Sequence, residues 1–221
     1  ALITHSRSLS RQVISHIDGQ TDAGAEMQKR MINLTIAFNH GLRHQLRQTD
    51  PWADIKPYLQ AEDIKNLGSA SNLSDAILRI MGRELGNCRH KKLLSDFLIQ
   101  SLDEHINLMV GVQTACERIQ NTPLPFAYSL LVHRTAYIYC FILPFGMVAT
   151  LGLLTPLFCA IVAYAFFGLD AISEELEEPF AQSANGLALS AMCRGVEMNL
   201  LESLGESDLP EPIEPNNYRL D

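Results

Sequence analysis

The sequence predicts an all-α integral membrane subunit, with a large helical domain in the cytosol and a two-helix hairpin in the bilayer. Three observations carry this. Residues 135–169 contain no Asp, Glu, Lys or Arg, while charges crowd both flanks. Elsewhere apolar residues recur three and four apart, the period of one helix face. No run alternates apolar and polar residues between turn signals, so no sheet is expected.

The elements follow in order. Over residues 1–17, Leu2, Ile3, Leu9, Val13, Ile14 and Ile17 hold helical spacing and Asp18-Gly19 ends the segment. A second helix is expected over 22–47, with Met27, Met31, Leu34, Ile36, Ala37 and Leu42 on one face. Asp50-Pro51-Trp52 breaks it, short helices follow near 53–59 and 61–65, and residues 66–72 are turn chemistry. Ser74-Asp75 is expected to cap a helix to about Leu85. A longer helix is expected from Lys91 to Ile119, and a closing amphipathic helix from Leu187 to Leu204. The tail from Ser207, rich in Pro, Glu and Asn, reads as extended or disordered.

From Pro125 to Ile172 the chain is apolar for about 48 residues, against roughly 20 per membrane span. That length accommodates two spans with a turn near Thr150-Leu151-Gly152, Pro144 inside the first and Pro156 opening the second. The expected division is 1–124 cytosolic, 125–172 membrane hairpin, and 173–221 cytosolic closing helix and tail. The competing reading is a helical hairpin buried in a soluble core. Long charged segments on both sides place both ends of the hairpin on the cytosolic side. Arg134, with His133 beside it, lies about a turn inside the first span, where a charge snorkels, pairs or lines an aqueous path.

The formal net charge of −8 excludes a nucleic-acid partner, whose phosphates demand clustered Lys and Arg. Five cysteines without a CxxC pair read as reduced thiols. His40 and His44 share a helix face, but no third ligand accompanies them, so they read as a solvated face and no metal is expected. Cys88 and His90 fall on different faces, and no catalytic set or cofactor is expected. Glu174, Glu175, Glu177 and Glu178 form an acidic run at the membrane exit. In a ring of subunits it becomes a negative collar that concentrates cations.

Several stretches carry a resemblance. The run Cys116-Glu117-Arg118-Ile119-Gln120-Asn121-Thr122-Pro123-Leu124-Pro125-Phe126-Ala127-Tyr128-Ser129-Leu130 resembles the approach to the third membrane helix of bacterial bestrophin homologues. Residues 163–172, with Glu174-Glu175-Leu176-Glu177-Glu178-Pro179-Phe180 after them, resemble the last membrane helix and its exit. His5-Ser6-Arg7-Ser8-Leu9-Ser10-Arg11-Gln12 is similar to the segment after the second membrane helix, and Cys193-Arg194-Gly195-Val196-Glu197 to the closing helix.

The bestrophin resemblance implies four membrane helices per subunit and a homopentamer around one central pore, in a bacterial inner membrane. Self-association, membrane lipid and monovalent ions are the implied partners. Only the last two membrane helices fall in this sequence, the first two being expected before Ala1. Alignment from the Pro-rich motif puts the cytosolic pore constriction at Phe97, with Leu94, Leu98 and Ile99 as its neighbours; the alternative makes Phe97 a core residue. Pro125, Pro144 and Pro179 set helix breaks near the gate. The acidic calcium clasp of animal members is replaced by Ala181-Gln182-Ser183-Ala184-Asn185, so no calcium gating is expected. Ala181 stands where the family commonly has Gly, which predicts local strain. The negative charge, multiplied fivefold, leans selectivity toward cations. A membrane-anchored scaffold that binds a cytosolic partner is the alternative function, and a metalloenzyme using His40, His44 and His90 a third.

Overall fold

The computed structural model describes residues 1–122, 125–183, 185–215 and 220. The long elements are α1 (Leu2–His16), α2 (Asp22–Arg47), α5 (Leu73–His90), α6 (Asp96–Asn121), α7 (Phe126–Leu151), α8 (Thr155–Glu177) and α9 (Leu189–Ser203). Short α3 (Trp52–Ile55) and α4 (Ala61–Leu67) lie between α2 and α5, and no strand occurs among the described residues. The helices group into two units, Ala1–Arg118 with Ala188–Asp221, and Ile119–Leu187.

In the first unit α2 is central and packs against α1, α3, α5 and α9. Met31, Leu34, Ile36 and Phe38 are all fully buried, so this helix is covered on more than one side. Each such side chain contributes roughly 1.5–3 kcal/mol by leaving water. Thr21 caps α2 by accepting from Gly24 N at 3.1 Å, and Gln48 ends it in the left-handed region. Two of the expected boundaries are corrected. The α5 cap is Asn72, whose Oδ1 accepts from Asp75 N at 3.0 Å, and the helix runs on to His90 because buried Cys88 continues the Leu85 face. α6 starts at Asp96 rather than Lys91, because Lys92 takes φ 56° and Leu93 N turns back to Cys88 O at 2.9 Å.

Buried polar groups in this unit are paired over long sequence distances. Arg30 reaches Asp63 through two bonds of 2.5 and 2.8 Å and Glu84 through one of 3.1 Å, tying α2 to α4 and α5. Asn39 Nδ2 donates to Ser6 Oγ at 3.0 Å and Thr35 O at 2.7 Å, while Cys193 Sγ donates to Asn39 O at 3.3 Å.

The second unit is a helical hairpin. α7 passes through Pro144 without ending and stops at Leu151. Gly152 takes φ +50°, a 3-10 turn covers Gly152–Leu154, and Pro156 lies in the first turn of α8. Tyr137 packs on Phe167 and Tyr139 on Phe166, each pair with ring centroids 5.1 Å apart. Outward, Phe141, Phe145, Leu157, Ile161 and Tyr164 are exposed along its length. Within the apolar stretch 130–177 only 6% of the most hydrophobic window is buried. A soluble core hairpin would be mostly covered, so the soluble reading fails on exposure. An exposed apolar surface of this length fits a lipid-facing hairpin.

Candidate pore-lining surface

α6 is built with one face for the interior and another that is left open among the described residues. Leu102, Ile106, Met109 and Gln113, spaced at i, i+4, i+7 and i+11, are buried. Gln12 Nε2 donates to Ser101 Oγ at 3.2 Å and fixes the helix against α1. On the other side Phe97 is 87% exposed, with Leu108, eleven residues on, also exposed. Phe97 is therefore no core residue, and the alternative assignment is corrected. Among its proposed neighbours, Leu94 is buried, while Leu98 and Ile99 are half-buried.

The exposed side of α6 is also acidic. Asp96, Asp103 and Glu104 are exposed, and no Lys or Arg occurs between Lys92 and Arg118. Asp96 is partly neutralised by Arg89 at 2.9 Å, and Asn107 Nδ2 donates to Asp103 at 3.1 Å. At the root of α6, Glu117 Oε1 accepts from Gln45, Asn72 and Gln113 at 2.7, 2.8 and 2.8 Å. Burial raises the Glu117 pKa, and these three amide donors outweigh it, holding the carboxyl below its usual range.

At the exit of α8 the acidic run is divided. His133 Nε2 lies 3.1 Å from Glu174, and its Nδ1 lies 2.7 Å from Asp170 in an ion contact off hydrogen-bond geometry. Glu175 accepts from Asn185 Nδ2. Glu177 and Glu178 are exposed with no ion pair among the described residues. Sequence spacing gave no hint of the bridge from His133 to Asp170, because the two stand on different helices.

Pro125 precedes α7, Pro144 lies within it, and Pro179 follows α8, its carbonyl accepting from Leu187 N at 2.8 Å. Ala181 has no positive φ, so the strain expected there is absent. The glycine requirement of this loop falls instead on Gly186, where a Cβ would sit 2.1 Å from Ala181 O. Ala184, within the segment that replaces the calcium clasp, lies outside the described residues, as do Pro123 and Leu124.

The closing helix carries a polar site that sequence reasoning misplaced. His40 is not on a solvated face: it is 3% exposed, with Nε2 3.1 Å from Glu197 Oε2. Tyr58 OH donates to Glu197 Oε1, and Arg194 lies 3.1 Å from Oε2. Burial pushes the Glu197 carboxyl up, but the bonds from His40 and Tyr58 and the charges of His40 and Arg194 leave it below its usual range. His44 turns instead to Asp54 at 2.8 Å and Thr49 at 2.6 Å. His40 and Glu197 are 157 positions apart. Cys88 and Cys193 are buried thiols, pushed up by desolvation to about 11 and about 12.

Comparison with known proteins finds relatives over nearly the whole chain. A family model described as Bacterial/Fungal Bestrophin protein matches residues 1–202. The chain is 43% identical over 206 residues to a voltage-dependent anion channel-forming protein of Mesorhizobium japonicum, covering 93% of this chain and 65% of that one. It is 37% identical over 217 residues to a protein of the same description from Escherichia coli K12, covering 98% and 70%. A crystal structure of a bacterial bestrophin homolog from Klebsiella pneumoniae superposes with a TM-score of 0.86 at 36% identity, over 93% of this chain and 75% of that one. The chain thus spans 65–70% of the two curated relatives' length. These relatives are channel-forming proteins rather than enzymes.

Proposed function

The chain belongs to the bacterial and fungal bestrophin family, and from that premise we propose that it is a subunit of a homopentameric ion channel in a bacterial inner membrane. Residues 125–172 cross the bilayer twice, while 1–124 and 173–221 stand in the cytosol. Conduction is passive, through a central pore narrowed by apolar rings, and Phe97 supplies one of them. The observation that carries this reading is the exposure of Phe97: an aromatic ring held in open solvent on a helix whose opposite face is rigidly packed. Projection toward a symmetry axis from five copies gives that ring a role, and a ring of five phenyl groups gates by dewetting.

Selectivity follows the lining. The exposed acids of α6, together with Glu177 and Glu178, concentrate monovalent cations. The relatives are named for anions, so the sign of selectivity is a direct test. The protein reconstituted in liposomes is expected to pass monovalent ions above the empty-vesicle rate, with a reversal potential in a KCl gradient displaced toward that of K⁺. Flux equal to empty liposomes overturns the channel reading and favours the scaffold. A displacement toward Cl⁻ overturns the cation preference alone.

A further inference from the structure

The motif of α1 that the pore does not use is Arg7 to Arg11. These two arginines stand one helical turn apart, over a cleft of about 310 Å³ between α1 and α9. Among the described residues no carboxylate lines this cleft, although the chain carries a net charge of −8. Like charges four apart on a helix repel each other. Among the described residues neither arginine has an ion-pair partner. The neighbouring His105 adds to the crowding. It faces His5 at 6.3 Å, and burial, His5 and Arg11 together depress its protonation against the weaker pull of Glu104.

The hydrogen bonds of the cleft settle which groups are available. Ser203 donates to Leu200 O at 2.6 Å, so Ser10 donates to Ser203 at 2.8 Å and both hydroxyl protons are used. Arg7 Nη2 donates to Asn199 Oδ1, which turns the Asn199 amide so that its N–H groups are free. What remains is two guanidinium forks and one amide donor, with buried Leu200 beneath them. Guanidinium forks match the tetrahedral oxygens of a phosphate group and bind it through paired, charge-assisted bonds.

We propose that the cleft formed by Arg7, Arg11 and Asn199 binds a phosphate-class dianion on the cytosolic unit, either free phosphate or the headgroup of a phosphatidate lipid. It gives an acidic protein one localised anion-binding site.

The test uses detergent-solubilised protein. Calorimetry with inorganic phosphate reads the soluble source, and native mass spectrometry with phosphatidate against phosphatidylcholine reads the lipid source. Arg11→Gln keeps the Arg7–Asn199 bond and is expected to weaken binding about tenfold or more, the value of one lost charge-assisted contact. Asn199→Asp retains an acceptor for Arg7 and adds a negative charge, so it is expected to abolish binding while the protein stays folded. Arg79→Gln, on α5 and away from the cleft, leaves affinity unchanged. Loss of phosphate binding in the two cleft variants supports a soluble ligand. Retention of phosphatidate alone by the wild type, lost in the variants, supports a lipid. Failure of the wild type to bind either, or equal binding by Arg11→Gln, overturns the proposal.

Discussion

Truncating Phe97 separates a pore-lining ring from a structural one. A fully buried Phe replaced by Ala costs about 3–5 kcal/mol, transfer and cavity terms together. Phe97 is 87% exposed, so in its own protomer almost no covered surface is lost and the cost falls within about 0.5 kcal/mol. For a chain of this size that is a melting shift of about 1–2 °C. The ring's loss is felt in the pore instead, where five smaller side chains widen and wet the constriction. Phe97→Ala is therefore expected to melt with the wild type in detergent and to raise liposome conductance severalfold. Parallel measurements of melting and of single-channel current make the assay. A melting drop of about 10 °C means that the ring packs in a core. Unchanged melting with unchanged current means that it lines no constriction. Either result refutes the reasoning.

Other outcomes follow from the buried polar sites. Glu197→Ala strips three groups of their common acceptor and is expected to destabilise the helical unit by about 3–5 kcal/mol, read by chemical denaturation. The carboxyls of Glu197 and Asp63 are both held below their usual range, so their contribution is present above the unfolded value near 4 and is lost as pH falls through the folded one. Glu197→Gln should therefore flatten the acid limb of a stability-against-pH curve below about pH 4; an unchanged slope counts against the assignment. Gly186→Ala places a methyl against Ala181 O and should lower the melting temperature. Gly195→Ala, in α9 with nothing within 4 Å of the added carbon, should stabilise the fold by up to about 1 kcal/mol.

The helices were legible wherever their cause is local. The 3.6-residue period placed α1, α2 and α9 to within about two residues, and a charge-free tract long enough for two spans exposed the hairpin. Turn signals failed where the backbone overrode them. Lys92 adopts a left-handed conformation that no sequence rule assigns to lysine, and so the start of α6 moved five residues. Long-range polar contacts were illegible for a different reason. His40 meets Glu197 and Arg30 meets Asp63 only after the chain has folded, and the i, i+4 pairing of His40 with His44 misled because it described a face without saying what covers it. The exposed ring at Phe97 was reached through family alignment alone. Periodicity by itself placed it inside the long helix, and only its exposure separates the two assignments.

A channel of this kind needs the hairpin to cross the bilayer, and the hairpin's tip is the place to test that. Leu153, in the turn between α7 and α8, is fully exposed. In a variant with Cys140 and Cys159 changed to Ser, Leu153→Cys is expected to react with a membrane-impermeant thiol reagent added outside intact spheroplasts. Reaction only after the membrane is permeabilised would contradict two complete crossings and, with them, the channel.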